Sequence, residues 1–457
     1  MSQKIALLTP LHPQKTGIAD WIEEMLPYLR ASLGKEYQID LFVEDCVPTE
    51  ADTVANHKIY PMELFESVCE TYDLYVYQIG NNRFHTTIYQ IAMRHPGIII
   101  LHDFAIHHLV AGIYLDVMKN DVAYFDEVER NHGEATKNLA YQRAANGQLG
   151  LWETDAISYP MNRTITKNAE GVIVFSQYAK RRLEQYGDAV PIHRAYLHCS
   201  GEAHMCSESE VKSARSALGL CMRPDEKLIC VFGFIGKAKR PYSILKAAGN
   251  LKKMGQKFQL VFVGQLQDDC KDLPKEVKRA GLQDEVHMTG FTSAEEFDHY
   301  VRASDICISL RYPTMGETSG VLMRALRYGK PSVVTNIGTF RDVPDNTVIK
   351  ISWGDSEVEE LTRVLQDLLT RPELYIQMRD NAVAYAEEYL EPAKTAEDIS
   401  EFLKSAITFR KIKNSETYIT ARDSLLQKYV TLGYFDKRMQ ASAAKTLAEI
   451  FECKYNS

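Results

Sequence analysis

ICISLRYPTMGETSGVLMRALRYGKPSVVTN, residues 306–336, reads as a strand, a loop, a helix and a second strand in immediate succession. The two flanking runs, ICISL and PSVVTN, are short and almost wholly apolar, the pattern of strands covered on both faces of a parallel sheet. Between them VLMRALRYG is helix-like. At the turn from strand to helix stands one carboxylate, Glu317, with a glycine before it and two hydroxyl residues after it. Taken alone it reads as a capping acid, which contributes about 1 kcal/mol or less to a helix.

The same rhythm extends in both directions. Upstream of this unit lie KLICVFGFI, FQLVFVGQ and EVHMTGF, and downstream VIKIS, each separated from the next by a helical pattern. The first half of the chain repeats the scheme with KIALLT, the helix-like IADWIEEMLPYL, QIDLFV, YDLYVYQIG, GIIILHD and GVIVFS followed by QYAKRRLEQYG. Strands of this kind alternating with helices predict an α/β architecture of two doubly wound, Rossmann-like domains. The expected boundaries are 1–199 for the first domain, a polar linker over 200–209, 210–390 for the second domain, and C-terminal helices over 391–457 that cross back to the first. Residues Gly112 to Asn168 read as an irregular helical insertion beside the cleft.

The chain has 457 residues and a net charge of −8, and the charge is uneven. Residues 1–200 carry 17 Lys and Arg against 25 Asp and Glu, whereas the rest balances at 36 of each sign. An acidic first half argues against nucleic acid and against strong attraction to an anionic membrane surface. No apolar run is long enough to span a membrane, and no signal peptide precedes the first strand, so a cytoplasmic protein is expected. Nine cysteines, odd in number and never spaced as C-x-x-C, suit thiols in a reducing compartment.

Two facing sheets of this type place the carboxyl ends of their strands on one cleft, where ligands of open parallel sheets bind. TPLHPQKTGIADW puts Gly17 at a helix start, either an ordinary turn or a receiver of an anion or sugar hydroxyl. It lacks the glycine spacing of nicotinamide and P-loop sites. His102 and Asp103 end a buried strand, where a histidine can hydrogen-bond a hydroxyl or titrate near neutral pH. Asp103 with His107, and His198, Cys199, His204 and Cys206 in the linker, have ligand chemistry without ligand spacing, and no metal site is expected. FGFIGKAKRP gathers Lys237, Lys239 and Arg240 at a helix start after Gly233, which is either a solvated face or a diphosphate site.

Together these loops resemble the retaining family 4 glycosyltransferases of the GT-B fold across nearly the whole chain to about residue 390. The resemblance is carried by TPLHPQKTGIADW, LHDF, FGFIGKAKRP, LVFVG, VHMTGFTSAEEFDHYVRASDICISL, GETSG and GKPSVVTNIG, the last three most specifically by their order and spacing. It implies transfer of a sugar from a nucleoside diphosphate sugar to a hydroxyl acceptor, in bacterial glycan or glycoconjugate synthesis. Lys239 matches the phosphate-binding lysine, and Arg240 stands beside it. Glu317 matches the acid that reads the donor sugar, and Thr318, Ser319 and Gly320 match the helix start on the diphosphate. Phe291 and Thr292 lie where the base is held, Gly17 and Gly233 where backbone meets the donor, and His102 next to the transferred sugar. No resident cofactor and no metal are implied.

Two departures weaken the analogy. Phe234 follows Gly233 where the family has arginine, a charge that Lys237, Arg240 or Arg311 would have to replace. Arg324 stands where a second glutamate usually holds the ribose. The nucleotide of the donor, UDP, GDP or ADP, is therefore left open, as is the acceptor: a glycan, a lipid-linked sugar or a protein side chain. The rival readings are a nucleotide-sugar epimerase or hydrolase on the same frame, and a catalytically weak partner subunit.

Overall fold

The computed structural model describes residues 2–199 and 201–413, together with 415, 419 and 420. It contains two wholly parallel sheets. The first is ordered β3-β2-β1-β4-β5-β6-β7, with β1 at Gln3–Leu8, β2 at Tyr37–Val43, β3 at Lys58–Pro61, β4 at Leu74–Ile79, β5 at Ile98–Leu101, β6 at Gly171–Val174 and β7 at Ile192–Arg194. The second is ordered β10-β9-β8-β11-β12-β13, with β8 at Lys227–Phe232, β9 at Phe258–Val263, β10 at Val286–Met288, β11 at Ile306–Ser309, β12 at Ser332–Thr335 and β13 at Ile349–Ile351.

In each sheet the winding direction reverses once, between β1 and β4 and again between β8 and β11. The loops that leave neighbouring strands at such a point diverge and open a crevice. In the second sheet these are Gly233 to Arg240 and Arg311 to Ser319, the two loops singled out from sequence. Register fixes their relative height, since Ile306, Cys307 and Ile308 of β11 lie opposite Ile229, Cys230 and Val231 of β8.

The helix Gly320–Arg327 is short and sharply amphipathic. Ser319 caps it by accepting from Leu322 N at 3.2 Å. Its apolar side buries Leu322, Met323 and Leu326 in one continuous core with Trp21, Phe175 and Leu197 of the first domain. Burying a leucine-sized side chain is worth about 1.5–3 kcal/mol, so this seam holds the domains together beneath the cleft. The insertion expected to be irregular is instead largely regular, including Asp121–His132 and Glu134–Ala145. Asn120 caps the first of these and glycine at 133 begins the second.

The helix Pro392–Lys413 lies along Gly17–Leu33 of the first domain, with Lys404 Nζ donating to Ser32 O at 3.0 Å and Ile399, Leu403 and Ile407 buried. The helices expected beyond it fall outside the described residues, except for 415, 419 and 420. Among the described residues no helix is long and apolar enough to cross a membrane.

Candidate active site between the two domains

The two carboxyl edges meet directly. Ala105 N donates to Met315 O at 2.8 Å, Thr318 Oγ1 to Phe175 O at 3.2 Å, and Tyr178 N to Asp342 Oδ2 at 2.8 Å, all across the cleft. Gly316 explains why a glycine precedes the acid. Its φ is +71°, and a Cβ there would stand 2.6 Å from Phe104 of the first domain.

Glu317 is organised by its own loop. Oε2 accepts from Met315 N at 2.8 Å and from Thr314 Oγ1 at 3.1 Å, while Oε1 faces Arg311 Nε at 2.7 Å. The acid therefore fixes both the turn and a guanidinium. Lys239 ends a single 3-10 turn, Lys237–Lys239, and its Nζ donates to Phe232 O. Gly233 makes room for it, since a Cβ on that residue would lie 2.7 Å from the ammonium. Burial, and then the charge of Arg311, hold the lysine well below the ordinary lysine range, with Glu317 opposing. Lys239 thus feels the charges of Arg311 and Glu317, which pair with each other.

Of the three cations expected to replace the arginine that the resemblance places at Phe234, Arg311 is the one that pairs with Glu317. Lys237 is exposed. Arg240, expected on the diphosphate, is instead held in two-pronged fashion by the buried Glu357, at 2.6 to 3.0 Å. The reason is its backbone: φ of +60° turns the side chain toward the start of helix Glu357–Thr370. Arg324 is likewise committed, to Glu24 of the first domain at 3.1 Å.

From the first domain, His102 and Asp103 end β5. His102 Nε2 lies 2.5 Å from Gln78 Oε1, and the ring packs edge-on to Trp21 at 5.1 Å. Burial lowers its pKa to about 3. It is therefore a neutral hydrogen-bonding group, and titration near neutral pH, one of the two roles open to it from sequence, does not occur. Asp103 Oδ2 accepts from Asn81 N at 2.7 Å. Its carboxyl is pushed up to about 7, first by burial and then by the charge of Glu317. From sequence Asp103 was weighed only as a metal ligand with His107, because the like-charged partner lies in the other domain.

A carboxyl raised above its ordinary value near 3.8 holds its proton more tightly in the folded chain than in the unfolded one. The stability it contributes is complete below about pH 4 and is lost as pH rises through about 7. Asp103→Asn is expected to flatten that slope, raising the melting temperature over the native chain at pH 8 but not at pH 4. Melting curves across this range check it; an unchanged slope would place the proton on another group.

The remaining candidates are dispersed. Gly17 begins the helix Gly17–Leu33 behind a Thr16 cap, with Asp20 in its first turn. Phe291 is exposed at the cleft mouth beneath Lys15, whose Nζ stands 4.8 Å from its ring centroid, and Thr292 is half-buried beside it. Gly320 opens the helix behind Ser319 with free space around it. His107 is buried against Tyr124 OH at 2.8 Å and lies apart from Asp103's bonds, and His204 pairs with Glu210 at 3.0 Å.

Residues 222–385 match a family model described as glycosyl transferases group 1. Over 233 residues the chain is 24% identical to the alpha-D-kanosaminyltransferase of Streptomyces kanamyceticus, a match covering 50% of this chain and 58% of that one. The chain thus spans a little over half the length of that relative. Among solved structures, sucrose-phosphate synthase from Thermosynechococcus elongatus superposes with a TM-score of 0.61 at 15% identity, over 89% of this chain and 99% of that one. HepE of Anabaena, in complex with UDP, gives 0.59 at 16% identity, over 88% and 100%. The chain has the GT-B fold, and its second domain matches the group 1 glycosyl transferases.

Proposed function

We propose that the chain is a retaining glycosyltransferase of family 4 type, moving a sugar from a nucleoside diphosphate sugar to a hydroxyl acceptor without a divalent cation on the leaving group. The observation that carries this reading is the charge cluster across the cleft, in which Arg311 pairs with Glu317, Lys239 feels both of them, and Asp103 of the first domain feels the same pair. As the bond from the anomeric carbon to the diphosphate breaks, negative charge grows on the leaving oxygen. Preorganised cations aimed there supply several kcal/mol, about 2.7–4 for a single well-placed donor. Lys239 and Arg311 take that role, with backbone amides at Thr318 to Gly320 completing the cradle.

The acceptor hydroxyl attacks the face the phosphate leaves and gives its proton to that phosphate, so configuration is kept. His102, neutral and fixed by Gln78, steadies the sugar by hydrogen bonding, and Glu317 holds the loop that reads it. An anion beside Lys239 opposes the effect of burial, so diphosphate binding favours the protonated ammonium. The HepE structure holds UDP, which supports a nucleoside diphosphate donor here. For the acceptor, the insertion supports a role in specificity because Ile157 at its end packs where Gly316 crosses into the first domain.

The test is a thermal-shift panel of UDP-, GDP- and ADP-sugars, then product analysis by NMR with the donor that binds. At 100 times its Kd a ligand stabilises by about 2.7 kcal/mol. Transfer with retained anomeric configuration is expected. Free sugar or an isomer formed without acceptor would make the chain a hydrolase or epimerase, and no shift with any nucleotide would make it a non-catalytic subunit.

A further inference from the structure

The loop after β1 carries a histidine whose two ring nitrogens face carboxylates on opposite sides. His12 Nε2 lies 2.7 Å from Asp20 Oδ1, and Nδ1 faces Glu23 Oε2 within ion-pair range and Glu50 Oε1 at 3.7 Å. Asp20 and Glu23 belong to the helix Gly17–Leu33, whereas Glu50 comes from the loop after β2, so three chain segments converge.

Glu23 is the unusual member. Its side chain is only 6% exposed, and its Oε1 accepts from His12 N at 3.0 Å. Yet neither Glu23 Oε2 nor His12 Nδ1 makes a hydrogen bond of good geometry. Among the described residues no lysine or arginine pairs with Asp20, Glu23 or Glu50. A buried carboxylate oxygen and an imidazole nitrogen turned to one point, with a second carboxylate at the rim, are costly without a positive charge between them.

The three atoms that face this point lie within 4.8 Å of one another. Three donors on one ion with bonds of about 2.0–2.2 Å stand at most about 4.4 Å apart, so an ion here draws Glu50 inward and moves Glu23 back from direct contact with Nδ1. One nitrogen with two carboxylates suits a divalent transition metal, and a carboxylate on the far nitrogen is the usual way a ligating imidazole is oriented. We propose that His12 Nδ1, Glu23 and Glu50 form a site for a divalent transition-metal ion, with Asp20 orienting the imidazole. The ion would tie the loop after β1 to the loop after β2, and so fix the backbone that carries Lys15 over Phe291 of the second domain. It is a brace on the cleft wall, distant in role from the leaving phosphate.

The experiment takes the full chain, stripped with chelator, and titrates MnCl2 and separately ZnCl2 by calorimetry and thermal shift. One equivalent is expected to bind and to raise the melting temperature, with affinity at least about tenfold weaker in His12→Asn, Glu23→Gln and Glu50→Gln, the range seen when a metal site loses a supporting group. Glu50 is 55% exposed, so its variant keeps the test open should the buried Glu23→Gln fail to fold. CoCl2 spectra free of thiolate-to-metal absorption exclude the cysteines. Absence of saturable binding, or binding equal in the native chain and the Glu50→Gln and His12→Asn variants, overturns the proposal and leaves protonated His12 as the positive charge.

Discussion

Lys239→Ala is expected to lower kcat/KM for sugar transfer by about 100- to 1000-fold, the loss seen when one preorganised donor to a developing anion is removed. The loss should fall mainly on kcat, because the charge it meets grows in the transition state. Fold stability should fall little. The ammonium is held down by burial and by Arg311 and bonds the carbonyl of Phe232, so removing it relieves one unfavourable desolvation while losing one hydrogen bond. Steady-state kinetics with a saturating acceptor, beside a melting curve, separate the two effects. Turnover within about threefold of native, a change well under 1.4 kcal/mol, would remove Lys239 from the chemistry.

The second large effect is expected for Glu317→Gln, at about 10- to 100-fold in kcat/KM. The glutamine keeps an acceptor for Met315 N and Thr314 Oγ1 but loses the charge that positions Arg311. The cradle should loosen and KM for the donor should rise along with the fall in kcat. The same substitution removes the second cause of the raised carboxyl at Asp103. Asp103's share of the stability slope between about pH 4 and 7 should therefore shrink in Glu317→Gln and be lost in Asp103→Asn. The double variant should add no further flattening, since both act on one interaction across the cleft. Full additivity in this pH dependence would show that the two carboxylates do not share a field.

Much of this was open to reading along the chain, for an identifiable reason. Strands such as β5 and β12 are buried on both faces, so they are unbroken apolar runs that periodicity detects. The edge strands β3 and β7 were missed because KIYP and IHR are only partly covered and have no such run. Lys239 and Glu317 were singled out because they stand on loops at the carboxyl ends of strands and match positions of the family the chain resembles; that these loops leave neighbouring strands at the reversal of winding came only with the structure.

Which cation faces the crevice was not legible. Lys237, Arg240 and Arg311 are equivalent as letters; the positive φ at Arg240 and a buried Glu357 more than a hundred residues away decide between them. The coupling of Asp103 to Glu317 and of Arg324 to Glu24 depends on how one domain closes on the other. The neutrality of His102 comes instead from packing within the first domain, where burial against Trp21 and Phe175 imposes it.

By itself, then, the sequence determined the local items: where the strands, crossovers and strand-end loops lie, and which residue types stand on those loops. Those are set by periodicity and turn chemistry within a few tens of residues. Only the tertiary structure decided which charges meet, which are spent on distant partners and which protons are held, because electrostatic interaction depends on distance and burial, and neither is written in the order of residues.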